Sequence, residues 1–202
     1  RIAIYMISIG LLCVSIIGIY NIKISGSLVE DMPKKTEFFK SIRFFEKEYK
    51  GIMPLEILVD TKRKKGVMKL ATLKRMNELQ EYIEEFPEFS QSLSVVDLVK
   101  YSKQAYYNGN PEYYQLPNSQ ERSFILSYAK SSTKDTNLLK SYVDSTGQYA
   151  RVTTFMKDIG TDKMEKIEER LQEKINKIFP KERYNVTLTG KAFVFEKGTH
   201  YL

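Results

Sequence analysis

The chain has 202 residues, 42% of them hydrophobic and 28% charged, with a net charge of +7. That composition is globular and excludes a disordered or low-complexity chain, and the length holds one ordinary domain or a domain with an anchor. The single cysteine, Cys13, and the single histidine, His200, stand near opposite ends, which excludes a disulfide scaffold and a Cys–His catalytic pair or metal cluster.

Residues 1–22 carry the first element. Ile2 to Ile22, "IAIYMISIGLLCVSIIGIYNI", contains no charged residue, and a helix of about 20 such residues spans the ~30 Å hydrocarbon layer. A cleaved signal peptide would have a shorter apolar region, about 7–15 residues, and a small-residue cleavage site. Tyr20-Asn21-Ile22-Lys23 offers no such site, and a buried core helix would usually show a polar stripe, which is missing. A transmembrane helix is expected, with an upstream part missing or trimmed because the chain starts at Arg1. The charges of Arg1 and Lys23 do not fix its orientation, since long domains cross the bilayer largely regardless of charge.

Residues 23–52 follow as a linker and an amphipathic helix. "KISGSLVEDMPKK" offers Asp31 as a cap and Pro33 in the first turn. Phe38, Ile42, Phe45 and Tyr49 then fall on one face, and Gly51 stops the run. Residues 53–95 form the first half of a domain. "PLEILVD" alternates Leu55, Ile57 and Val59 with Glu56, Leu58 and Asp60, the pattern of a strand with one apolar face. The basic run "KRKK", Lys62 to Lys65, reads as a solvated turn after that strand or as a patch drawn to anionic head groups. Nucleic acid is not an expected partner of a tethered domain with so short a run. Leu73, Met76, Leu79, Ile83 and Phe86 mark a second amphipathic helix ending at Pro87, and "FSQSLSVVDLV" leads from a strand into a helix.

Residues 96–138 read as a helical insertion. Its clearest break, "AYYNGNPEYYQLPN", holds Tyr106, Tyr107, Tyr113 and Tyr114; a helix from about Ser119 to Ala129 and a polar break follow. Residues 139–190 form the second half. "LLKSYVD" and "YARVTTFMK" flank "STGQ" as an antiparallel hairpin. A helix then places Met164, Ile167, Leu171, Ile175 and Ile178 on one stripe, capped by Thr161 and stopped by Pro180. Tyr184, Val186 and Leu188 alternate in a last strand. The expected class is α+β: a ferredoxin-like split βαβ domain with a helical insertion, its sheet packed on the helices at 70–86 and 161–179.

No catalytic constellation is legible, so an enzyme is not expected, nor a cofactor or metal. Asp158 and Asp162 flank a helix start, where acidic side chains suit the helix dipole, and the sequon "NVT" at Asn185 falls inside a strand. The tyrosine cluster admits two readings: rings that pin the loop to its own domain, or amphipathic contact surface for a ligand.

An uncharged first span, "EDMP" in the linker, a domain with a helical insertion, then "RVTTFMKDIGTDKMEKIEERL" and "VTLTGKAFVFEKGTHYL" resemble the first large loop of RND-superfamily exporters, nearest the MMPL-like branch of bacteria. That family's loop closes with a V-x-V-T-G-x-x strand and a short helix into the second span. Val186-Thr187-Leu188-Thr189-Gly190 matches in order, with Leu188 at the second apolar position. The resemblance implies a porter domain outside the inner (cytoplasmic) membrane, on its periplasmic side, with residues 191–202 approaching the second span. It implies proton-driven export of lipid-like or amphipathic substrates. The implied partners are the lipid bilayer, the remaining spans, the second porter domain and the hydrophobic substrate. The proton relay lies on a span outside this sequence, so no catalytic residue carries over. Tyr106, Tyr107, Tyr113 and Tyr114, with Phe38 and Phe39, are the expected substrate path. The other expectation is a single-span, membrane-anchored binding or scaffolding domain without transport.

Overall fold

A computed structural model of the chain describes residues 2–21, 33–132 and 138–190. Asp31 as a cap, His200 and the approach of residues 191–202 to a second span lie outside the described residues.

Helix α1 runs Ile2–Asn21, 20 residues free of charge and proline. Its side chains are described for Ile2 and residues 4–18, every one exposed. Among the described residues no helix is long and apolar enough to cross a membrane.

Helix α2, Glu37–Tyr49, starts at Thr36, whose hydroxyl accepts the Phe39 amide at 3.2 Å and donates to the Pro33 carbonyl at 2.9 Å. It ends on Lys50 in the left-handed region, φ 59°. The stripe Phe38, Ile42, Phe45, Tyr49 is not buried as an amphipathic face usually is; only Glu46 of α2 is. Glu46 pairs with Arg43 at 2.8 Å and accepts the Asp158 amide at 3.2 Å, which fastens α2 beside the sheet. The junction is close: a Cβ on Gly51 would lie 2.6 Å from the Met156 backbone nitrogen.

Among the described residues the sheet has three antiparallel strands in the order β2-β1-β3: β1 Met53–Asp60, β2 Tyr149–Met156 and β3 Asn185–Thr189. Register pairs Met53 with Met156 and Asp60 with Tyr149 on one side, and Glu56 with Thr189 on the other. β1 is central, so its inward row must pack on every neighbour, and Leu55, Ile57 and Val59 are fully buried. Helices α3, Leu70–Glu84, and α7, Thr161–Ile178, fill the same core with Leu73, Met76, Leu79 and Ile83, and with Met164, Ile167, Leu171, Ile175 and Ile178. Each such side chain contributes about 1.5–3 kcal/mol of burial. The Thr161 cap is corrected: Gly160, φ 72°, holds the cap position and Thr161 is the first helical residue.

Two strand expectations need correction. The segment 89–93 joins the outer edge of β2 only through isolated antiparallel bridges, Phe89 to Met156 and Leu93 to Thr153. Between them the Ser90 hydroxyl accepts the Phe155 amide at 3.0 Å, so a side chain takes a bond that a ladder would give to backbone. Upstream of β2, "LLKSYVD" is not a hairpin arm. Leu138–Tyr142 form the short helix α6, and one bridge, Val143 to Ala150, remains. The turn beyond it is built on Asp144, whose carboxylate accepts from the amides of Thr146, Gln148 and Tyr149.

Helix α4, Val95–Tyr106, opens with a capping box between Ser94 and Asp97. A 3-10 turn at Pro111–Tyr113 and helix α5, Arg122–Ser132, follow. Helix α5 starts three residues later than the expected Ser119 because Asn118 first caps a turn, its side-chain oxygen accepting the amides of Gln120 and Glu121. Val95, Val96, Val99, Ile125 and Leu126 reach the same core as the sheet. Gln80 of α3 ties α4 down, donating to Asp97 at 2.8 Å and accepting from the Ser94 hydroxyl at 2.7 Å.

Candidate functional site

Three of the four tyrosines, Tyr106, Tyr107 and Tyr113, come together between α4 and α5, mostly in service of the fold. Tyr107 stacks on Tyr113, ring centroids 4.2 Å apart, and Tyr106 meets Phe124 at 5.1 Å and Tyr128 at 5.6 Å. Beneath them lies a partly buried ion pair. Lys103, 4% exposed, donates to Glu121 at 2.7 Å, and Glu121 also accepts the Tyr107 hydroxyl and the Asn118 amide, each at 3.0 Å. Burial works to raise the Glu121 pKa, but the bonds from Lys103, Asn118 and Tyr107 outweigh it and hold the carboxyl below its ordinary value. The bond to that carboxylate raises the Tyr107 pKa, with burial adding to it. Tyr114 is looser: its hydroxyl donates to Asp97 at 3.3 Å, the Lys100 ammonium sits 5.7 Å from its ring centroid, and burial, then Asp97, raise its pKa. Tyr106 and Tyr114 remain 46% and 40% exposed, so this surface keeps two partly exposed rings on a pinned loop.

Phe38 and Phe39 lie on α2, with no ring contact to the tyrosines among the described residues. The Arg43 guanidinium sits 5.4 Å from the Phe39 ring, and Phe38 is exposed. The six expected path residues therefore form two groups rather than one.

The stronger concave feature is beside α2. A groove of about 670 Å³ runs between Ile42, Phe45 and Tyr49 of the helix and Leu93 and Phe155 at the sheet edge. Phe45 stacks on Tyr49 at 5.5 Å. Its volume is in the range of small-molecule sites, and its walls are apolar, with Glu48 and Lys50 supplying charge. One wall was readable as the α2 stripe. The other was not, because Leu93 and Phe155 meet only once the 89–93 segment bridges β2; the available signal was Phe155 at an outward position of its strand.

The basic run Lys62 to Lys65 is an ordered, exposed turn at the far end of β1 from this groove. Thr61 closes it, donating to the carbonyls of Arg63 and Gln148, and Lys62 and Lys65 adopt φ 53° and 59°. Among the described residues no group of three or more His, Cys, Asp or Glu is placed to hold a metal ion. Chemically, the arrangement offers apolar contact, aromatic faces and charge, all suited to binding.

No protein-family model matches the chain, and no curated protein matches it.

Proposed function

We propose that this chain is the first membrane span and first porter domain of a proton-driven RND-type exporter of lipid-like or amphipathic substrates, with its domain on the periplasmic side of the inner membrane. The observation that carries the reading is where the chain enters and leaves the sheet. It enters through Gly51 beside Met156, and it leaves through Gly190, where a Cβ would lie 2.5 Å from the Pro54 carbonyl. Entry and exit thus share one end of β1, as a domain looped out between two spans requires.

The strand sequence supports the same reading. With segment 89–93 counted as a degenerate strand, the order is 89–93, β2, β1, β3. Helix α3 links β1 to that segment and α7 links β2 to β3, which is the split βαβ arrangement. The span is assigned to Ile2–Ile22 on its uncharged sequence alone, since among the described residues no helix is long and apolar enough to cross a membrane. The porter domain then supplies a wall of the substrate route, with the pinned tyrosines and the α2 groove as its aromatic surfaces.

The test is the mass of the native product in membranes, read with an antibody against residues 24–190. A membrane band several-fold heavier than 23.6 kDa is expected. A membrane band near 23.6 kDa refutes the exporter and leaves a single-span anchored binding domain.

A further inference from the structure

We propose that α2 is an interfacial helix: the face bearing Phe38, Phe45 and Tyr49, with the adjoining Leu93 and Phe155, rests on the outer surface of the bilayer that α1 enters. This rests on the reading of α1 as a span.

The argument starts from exposure. Phe38, Phe45 and Tyr49 recur at helical spacing and are 65%, 51% and 62% exposed, while Leu93 and Phe155 across the groove are 47% and 44% exposed. Aromatic side chains in such a row normally mark a contact surface. The occupant is indicated by charge and place. Residues 34–50 carry six cations, Lys34, Lys35, Lys40, Arg43, Lys47 and Lys50, against three carboxylates. One of those, Glu46, is already paired with Arg43 at 2.8 Å. At about 100° per residue, Lys40 and Lys47 fall on the side of α2 opposite Phe38, Phe45 and Tyr49, so those three rings face away from the two ammonium groups, while Phe44, 58% exposed, lies on the lysine side. That division suits a helix lying at the head-group level, its lysines reaching anionic phosphates and its rings entering the acyl boundary.

Position agrees. Helix α2 begins after residues 22–36, a tether that reaches at most about 50 Å from the end of α1. It sits beside Gly51 and Phe155, at the end of the sheet where the chain enters and leaves. A protein segment or a single acyl chain in the groove would account for the cavity, but neither calls for the net positive charge of residues 34–50.

The experiment uses the full chain in vesicles of phosphatidylglycerol and phosphatidylethanolamine, with spin labels whose collisions with oxygen and with a water-soluble nickel chelate report depth. A label on native Cys13 reports α1. In a Cys13→Ala background, labels at Phe38→Cys, Phe45→Cys, Lys40→Cys and Lys47→Cys report α2. The expected result is a deep Cys13 label, oxygen-favoured labels at 38 and 45, and nickel-accessible labels at 40 and 47, the two α2 faces differing several-fold. If Cys13 is deep while all four α2 labels meet nickel equally, the inference falls and the span stands. Labels at 38 and 45 shielded from both reagents would mean a protein occupant and would also overturn it. A nickel-accessible Cys13 overturns the span and this inference together.

Discussion

Replacing Glu121 by alanine tests whether the tyrosine loop is held by a buried charge. Lys103 is 4% exposed and has Glu121 at 2.7 Å, and the carboxylate also satisfies the Tyr107 hydroxyl and the Asn118 amide. Removing one partner of a buried pair costs about 3–5 kcal/mol, because the remaining charge is left without compensation. The Glu121 side chain is 13% exposed, so water reaches the vacated place in part and the lower figure, about 3 kcal/mol, applies. Against the ~5–15 kcal/mol that holds ordinary domains, that is a large share. In urea titrations followed by circular dichroism, with a slope of about 1–3 kcal/mol per molar, the midpoint should fall by roughly 1–3 M. The double replacement Lys103→Met with Glu121→Leu removes both charges and should recover most of the loss. A midpoint shift below about 0.3 M for Glu121→Ala, or a double variant no better than the single one, would refute the buried-charge account.

Further outcomes follow from single sites. Glu121 and Asp144 both have lowered pKa values, burial being outweighed at Asp144 by the Thr146 hydroxyl and three backbone amides, so their stabilisation is present above the ordinary carboxylate range and lost as pH falls through the folded values. Tyr107 and Tyr114 are raised, so theirs is present below the ordinary tyrosine value and lost as pH rises through the folded one; urea midpoints across pH should show both limbs, with Glu121→Gln flattening the acid one. Gly51→Ala drives a Cβ to 2.6 Å from the β2 backbone and should cost about 2–3 kcal/mol, whereas Gly109→Ala, φ 78° in open space, should cost only about 1 kcal/mol, both read by thermal melting. Ser94→Ala removes the α4 cap and the bond to Gln80 and should lose about 1–2 kcal/mol, with faster hydrogen exchange at the Val96 amide.

How far the sequence could be read depended on where each element's partners lie. β1 and α7 were plain because their inward rows are complete: Leu55, Ile57 and Val59 alternate, and Met164 to Ile178 keep one stripe. Helix α2 was visible as periodicity, but periodicity does not say whether a stripe meets a core, and here Phe38, Phe45 and Tyr49 do not. The second strand failed through one hydroxyl, Ser90, and the hairpin arm failed because "LLKSYVD" is too short for either period to decide. Tyr106, Tyr107 and Tyr113, neighbours in sequence, meet ring to ring, whereas Tyr114 turns to Asp97 and Lys100. The partners of the three, Lys103, Glu121 and Phe124, carried no local mark of it.

Charge placement allows a last separation. The sequence offers two basic clusters that could draw the domain to anionic lipid, Lys62 to Lys65 and the lysines around α2, and nothing in composition ranks them. The fold does. Lys62 to Lys65 follow Asp60, the end of β1 paired with Tyr149 and Asn185, about 17 Å along the strands from Gly190 and about 30 Å from Gly51. The Thr61 bonds and the Lys65 amide bond to Thr146 hold that turn in place, so it cannot swing back. The screening length at physiological salt is about 8 Å, so charges at that remove scarcely act on a surface touching α2. Replacing Lys62, Arg63, Lys64 and Lys65 with glutamine should therefore leave the depth of labels at 38 and 45 unchanged. Replacing Lys40 and Lys47 with glutamine should weaken attachment by roughly 1 kcal/mol per charge and make the same labels shallower in phosphatidylglycerol vesicles. If the turn variant detaches α2 and the α2 variant does not, the far end of the sheet faces the lipid, and the assignment of its near end to the membrane is wrong.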